Sequence, residues 1–209
     1  MNYIEQYLQQ IQRGKCIVSK RVRREYERLA DDIKHPKKGY VFDQKKAERP
    51  ITFIETFCKH SKGEWAGKPV RLELFQKAYI SALFGFVSET TGYRKYRETL
   101  FYVARKNGKS LLLSCIALYM LIADDEPGAE VYSVASKKDQ ARIIFDETCN
   151  MVRQSPDLLQ VVKKRKSDLY FSLTFSKFQP LGKNSDTLDG LNSHLVICLL
   201  YTSDAADEL

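Results

Sequence analysis

The stretch Val103, Ala104, Arg105, Lys106, Asn107, Gly108, Lys109, Ser110 constrains this chain more than any other. An apolar run, Thr99 to Val103, precedes it, and a second, Leu111 to Ile122, follows it. That order reads as strand, tight loop, helix. Gly108, Lys109 and Ser110 close the Walker A pattern, a loop whose backbone N–H groups join those of the helix start to cradle phosphates. In this reading Ala104, Lys106, Asn107 and Gly108 line the cradle. Lys109 reaches the β/γ-phosphates, and the Ser110 hydroxyl holds Mg²⁺. Val103 stands where the pattern usually has its first glycine, so the flanking strand and helix carry the reading.

The 209 residues suffice for one α/β domain with a real core, or for such a domain plus a helical appendage. With 44% hydrophobic and 29% charged residues, the class is soluble globular. No apolar run reaches bilayer length, and the opening residues do not read as a signal peptide. The five cysteines, Cys16, Cys58, Cys115, Cys149 and Cys198, show no paired spacing, as expected of reduced thiols in a cytoplasmic protein. Cys58 and His60 lack the second ligand pair that a metal site needs. The formal charge of +8 favours a polyanionic partner, although a merely soluble domain fits it too.

Residues 2–13 place Tyr3, Tyr7, Leu8 and Ile11 on one face of a short helix, which Gly14 breaks. Ser19 caps a second helix through about Ile33, with Val22, Tyr26, Leu29 and Ile33 as its apolar stripe. Its other face carries Lys20, Arg21, Arg23, Arg24 and Arg28, a solvated face or a contact for DNA backbone or a partner. Residues 35–39 form a turn or linker. Asp43 caps a third helix, which Pro50 interrupts or restarts. Residues 60–69, with the only tryptophan between two glycines, read as an ordered loop. A strongly apolar helix follows over 73–84. Its Gln76 is a surface glutamine on spacing alone; upstream of a phosphate loop, it could also bond an adenine edge through its amide.

Beyond the loop, Glu130 to Ser136 reads as a strand. A helix opened by residues 137–140 follows, with Ala141, Ile144, Phe145 and Cys149 inward. Residues 169–175 and 178–181 make a hairpin or two short strands, 186–192 a polar loop, and His194 to Ile197 a further apolar strand. This alternation argues for a parallel sheet with right-handed crossovers. A phosphate-loop ATPase then needs an Asp to hold the Mg²⁺ shell and a Glu to activate water at the end of that last strand.

Five segments together resemble the large terminase subunit of tailed bacteriophages, in its N-terminal ATPase half. They are residues 60–67, the Phe75–Gln76 helix, Ala104 to Ser110, Tyr132 to Ala141 and Leu188 to Ile197. They occur in the family's order and cover roughly 40–197, and the missing first glycine is normal for the family. The resemblance implies a P-loop NTPase-type parallel sheet with flanking helices, preceded by a helical N-terminal segment. The expected division is 1–59 helical, 60–197 an incomplete ATPase domain and 198–209 a non-native tail. It implies an ATP- and Mg²⁺-dependent hydrolase that threads double-stranded viral DNA into a procapsid. Portal protein and small terminase subunit would be its partners, in a homo-oligomeric ring, in the host cytoplasm and transiently at the portal. Gln76 would contact adenine, and Arg105 would sit near the γ-phosphate as a charge stabiliser or remain a plain loop residue.

The chain departs from the family after Ile197. An Asp–Glu pair is expected at about Leu199 and Leu200, and the tail from Cys198 instead resembles a translated sequencing adaptor. Asp207 and Glu208 follow no apolar strand and are not that pair. Such a chain should bind nucleotide and hydrolyse it poorly, and it should show no nuclease activity. The open sheet edge predicts poor solubility or a disordered end. A helicase-like phosphate-loop ATPase and a non-catalytic basic DNA-binding or scaffold protein are the rival readings.

Overall fold

A computed structural model describes residues 1–104, 106–135, 137–182 and 191–199. These form two compact units, one from 1–56 and 70–103, the other from 57–69 and 104 onward. They are packing units interleaved along the chain, a different kind of division from the linear one expected above. Arg105, Ser136, most of the 186–192 loop and the tail from Leu200 lie outside the described residues.

The first unit is mainly helical. Helix α1 (Tyr3–Gln12) starts at Asn2, whose side chain accepts from Glu5 N at 2.9 Å. Helix α2 (Lys20–Lys34) starts at Ser19, whose Oγ accepts from Val22 N at 3.3 Å. The two pack through Tyr7 and Tyr26, with ring centroids 4.7 Å apart in an edge-on pair. Strand β1 (Tyr40–Phe42) pairs antiparallel with β2 (Phe86–Ser88), a small sheet that the sequence pattern did not suggest. Helix α3 (Gln44–Phe57) begins at Asp43, which caps Lys46 N at 3.1 Å. It runs unbroken through Pro50. The proline removes one intrahelical donor, but its ring is buried beside Ala47, Ile51, Phe53 and Ile54, which offsets that loss. Helix α4 (Leu74–Gly85) closes the unit, and a Cβ on Gly85 would meet the Phe42 ring at 2.4 Å. The core gathers Ile4, Leu29 and Phe86 in one cluster and Tyr7, Ile11 and Ala78 in another. A cavity of about 420 Å³ lies among Tyr7, Tyr26, Phe75, Tyr79, Tyr96 and Phe101.

One buried carboxylate ties α2 to the rest of this unit. Asp32 is 4% exposed and meets Arg28 Nη1 at 2.9 Å, Lys95 Nζ at 3.1 Å and Lys37 Nζ at 3.2 Å. Burial alone would raise its pKa. The hydrogen bonds and charges of Lys95 and Lys37 outweigh burial and hold it below the usual carboxylate range.

The second unit is mixed α/β. Helix α5 (Lys109–Ile122) and helix α6 (Lys138–Gln154) pack together. Ser114 Oγ donates to the Ile144 carbonyl at 3.1 Å in their buried interface. Strands β3 (Glu130–Ala135), β4 (Val162–Lys164), β5 (Leu169–Phe171), β6 (Ser176–Gly182) and β7 (Ser193–Cys198) form one sheet in the order β4-β5-β6-β3-β7. Helix α7 (Pro156–Val161) leads into β4. The β6-β3-β7 part is parallel, as alternation of strand and helix predicts, whereas β4-β5-β6 is an antiparallel meander. Ala141, Ile144, Phe145 and Cys149 of α6 are all buried, as the 3.6-residue period requires, and Phe145 meets Phe178 at 5.4 Å. Burial pushes the Cys149 thiol up to about 11 and raises that of Cys115, so both sit as inert apolar groups. Among the described residues no helix is long and apolar enough to cross a membrane.

One expected strand is corrected. Residues 99–103 belong to no strand. Leu100 and Tyr102 are 76% and 87% exposed, while Phe101 turns in against Tyr79 at 4.7 Å. The side chains alternate as in a strand, but a strand also needs a ladder partner, and apolar alternation cannot supply one.

Candidate nucleotide-binding site

The loop before α5 is built by backbone conformation. Lys106 has φ 64° and Gly108 φ 71°, both in the left-handed region. Gly108 adopts it without steric cost, and Lys106 adopts it against its Cβ. Alternation of left- and right-handed residues turns successive N–H groups towards one side, the nest that binds anions. Asn107 Nδ2 donates to the Ala104 carbonyl at 3.2 Å and closes the turn. Helix α5 then opens with Gly108 as its N-cap, and no side chain caps it. Leu112 N bonds to Gly108 O at 2.9 Å, the first turn of the helix. Amides of a first turn have no acceptor within their own helix, and the macrodipole puts partial positive charge there.

Lys109 and Ser110 are the first two residues of α5, both half-buried, while Lys106 and Asn107 are exposed. The structure therefore brings Ala104, Lys106, Asn107, Gly108, Lys109 and Ser110 onto one turn. Gln76 belongs to the other unit. It is buried, and its Oε1 accepts from Glu73 N at 2.9 Å, the return half of a capping box. Its amide thus serves the start of α4, a job that spacing alone did not reveal.

A nest at a helix start, a lysine and a hydroxyl suit a polyphosphate. A neutral hydroxyl oxygen is also the hard donor that Mg²⁺ accepts alongside water and phosphate oxygens. The terminase large subunit ATPase domain model matches residues 74–204, more than half of the chain. The chain belongs to this family. The large subunit of the terminase of Enterobacteria phage HK97 is 34% identical over 118 residues, 56% of this chain and 22% of that protein. The crystal structure of the HK97 bacteriophage large terminase aligns with a TM-score of 0.62 at 29% identity. That alignment covers 73% of this chain and 30% of the solved one. The chain thus spans less than a third of these large terminases.

Two further features of this terminase ATPase chain escaped sequence reasoning. The loop 60–68 is closed by His60 N to Lys68 O at 2.9 Å and Gly67 N to His60 O at 2.8 Å. It is anchored on α6, where Ser61 Oγ donates to Glu147 at 2.5 Å and Lys62 approaches the same carboxylate at 3.4 Å. The loop was legible as ordered from its glycines, but nothing marked Glu147. Trp65 stays 54% exposed with Lys68 Nζ 4.6 Å from its ring centroid. At the start of β7, His194 Nε2 lies 2.7 Å from Asp124 Oδ2, which joins the strand to the end of α5. At the other end of β7, Leu199 N donates to the Val134 carbonyl at 3.3 Å. An apolar side chain therefore follows the strand where a carboxylate was expected.

Proposed function

We propose that this chain is the nucleotide-binding part of an ATP-driven motor that packages double-stranded viral DNA into a procapsid. The observation that carries the reading is the left-handed turn at Lys106 and Gly108 opening α5 on Lys109 and Ser110. Backbone amides of this turn hold the phosphates, Lys109 neutralises the β/γ oxygens and Ser110 is the protein ligand of Mg²⁺. Mg²⁺, when bound, draws charge from the bridging β/γ region. Arg105 is the charge stabiliser for the γ-phosphate, and Gln76 the adenine contact through its amide nitrogen. Portal protein and small terminase subunit are the partners of the whole motor, a ring of copies working in the host cytoplasm.

Hydrolysis by this chain is expected to be slow. Leu199 stands where the water-activating carboxylate pair belongs, and loss of such a base costs about 10²–10⁴-fold. The test is titration with ATP and Mg²⁺, followed by calorimetry. Saturable binding that falls at least about 10-fold in Lys109→Ala supports the site. Equal binding by the variant would mean that the Gly-Lys-Ser run is fortuitous and that the chain is a DNA-binding or scaffold protein.

A further inference from the structure

The net charge of this chain is concentrated. Arg13, Lys15, Lys20, Arg21, Arg23 and Arg24 place six cations in residues 13–24, with no acidic residue between Glu5 and Glu25. Those six account for most of the formal charge of +8. All six are exposed, at the end of α1, in the connection and on the first turns of α2. Several cations elsewhere are used internally. Arg28, Lys37 and Lys95 share Asp32, Lys77 meets Glu55, Lys62 meets Glu147, Arg165 meets Asp168 and Lys177 meets Glu130. Among the described residues, none of the six is engaged in an ion pair or a side-chain hydrogen bond.

Stability does not explain this placement. Cations in the first turn oppose the helix dipole, and neighbours at three- and four-residue spacing repel one another. Helix α2 has no acidic residue in its first turn to relieve either cost. Its apolar stripe, Leu29 and Ala30 with Tyr26, holds it in the unit on the opposite side.

We infer that the corner formed by the end of α1 and the start of α2 is a contact surface for the phosphate backbone of duplex DNA. The inference rests on the motor reading and adds a place where the DNA touches this chain. Residues 20–24 span about 6 Å of helix axis. Four cations over that length match a duplex that carries one negative charge per about 1.7 Å. Long, unbraced Lys and Arg side chains without a hydrogen-bonded frame read charge and not base edges, so the contact is sequence-independent. A motor that moves along DNA needs such a contact.

The experiment measures binding of a fluorescent 30-bp duplex by anisotropy between about 50 and 200 mM KCl, the range over which phosphate contacts are lost. The variant carries Lys20→Gln, Arg21→Gln, Arg23→Gln and Arg24→Gln. Its affinity should fall at least 10-fold, and the slope of log affinity against log salt should flatten by about 3–4, near 0.9 per contact. Its melting temperature without DNA should stay level or rise, because repulsion is relieved. A milder variant, Arg24→Glu alone, should lower the slope by 1 or more, and Lys34→Gln on the same helix should not. ATP binding should be unchanged in all of them, whereas Lys109→Ala should lose ATP and keep the wild-type slope. Equal slopes for wild type and the fourfold variant would overturn the proposal and leave the ATP site standing. So would a wild-type chain that binds ATP but no duplex, and the corner would then suit an acidic protein. A wild-type chain that binds the duplex with its full salt slope but binds no ATP would instead break the motor reading.

Discussion

Helices α2 and α5 both begin on a lysine, and neither has an acidic residue in its first turn. Their entries differ. At α2 the chain arrives extended, and Ser19 Oγ takes the Val22 N–H, so the helix end is closed by its own cap. The cations beyond it spread into water. At α5 the chain arrives through left-handed Lys106 and Gly108, with no side-chain cap. Lys109 is the first residue of the helix there. On the reading proposed above, the same charge at the same helical position would serve two ends: diffuse, salt-screened attraction at α2, and close binding of one anionic group at α5. The backbone before the helix makes that difference.

If α2 is held by its C-terminal half and not by its cations, Asp32→Ala should give the largest effect. Three cations would lose their shared buried carboxylate. The expected loss is about 2–3 kcal/mol by urea unfolding, below the ~3–5 of a fully enclosed pair because Arg28 and Lys37 remain partly in water. The same carboxylate gives a pH signature. Its folded pKa lies below the unfolded value of about 3.9, so its stabilisation is complete above about pH 5. It fades as pH falls through 3.9 towards the folded pKa. The urea midpoint of the wild type should drop over that window, and Asp32→Asn should flatten the drop.

The next effect tests the other helix start. Gly108→Val puts a β-branched side chain in the left-handed region, and ATP binding should weaken about 10–100-fold by calorimetry. If binding survives, the turn is not the cradle. Ser19→Ala should cost about 1 kcal/mol of thermal stability and leave ATP affinity unchanged, since it opens only the α2 cap. The smallest effect should come from Lys106→Gly. Relief of the positive φ and the added backbone freedom of glycine nearly cancel, giving a change within about 1 kcal/mol.

Much of this fold was legible locally. The caps Ser19 and Asp43, the apolar stripes of α2 and α6 and the largely apolar body of α5 mark their helices by neighbours three or four residues away. The Gly108-Lys109-Ser110 turn is equally local. Errors arose where formation depends on a distant partner. Residues 99–103 have strand alternation but no ladder, and β1 exists only because it pairs with β2, more than 40 residues on. Pro50 stays inside α3 because the fold buries its ring.

By itself the sequence determined where α1, α2 and α5 begin, which turn is the candidate for a phosphate, and that six cations crowd residues 13–24. Tertiary structure alone decided which charges are spent internally. Lys95 reaches Asp32 across 63 positions, and Ser61 reaches Glu147 across 86. A carboxylate's pKa and a cation's availability depend on the charges and solvent within a few ångströms of it. Those neighbours come together only when the chain folds.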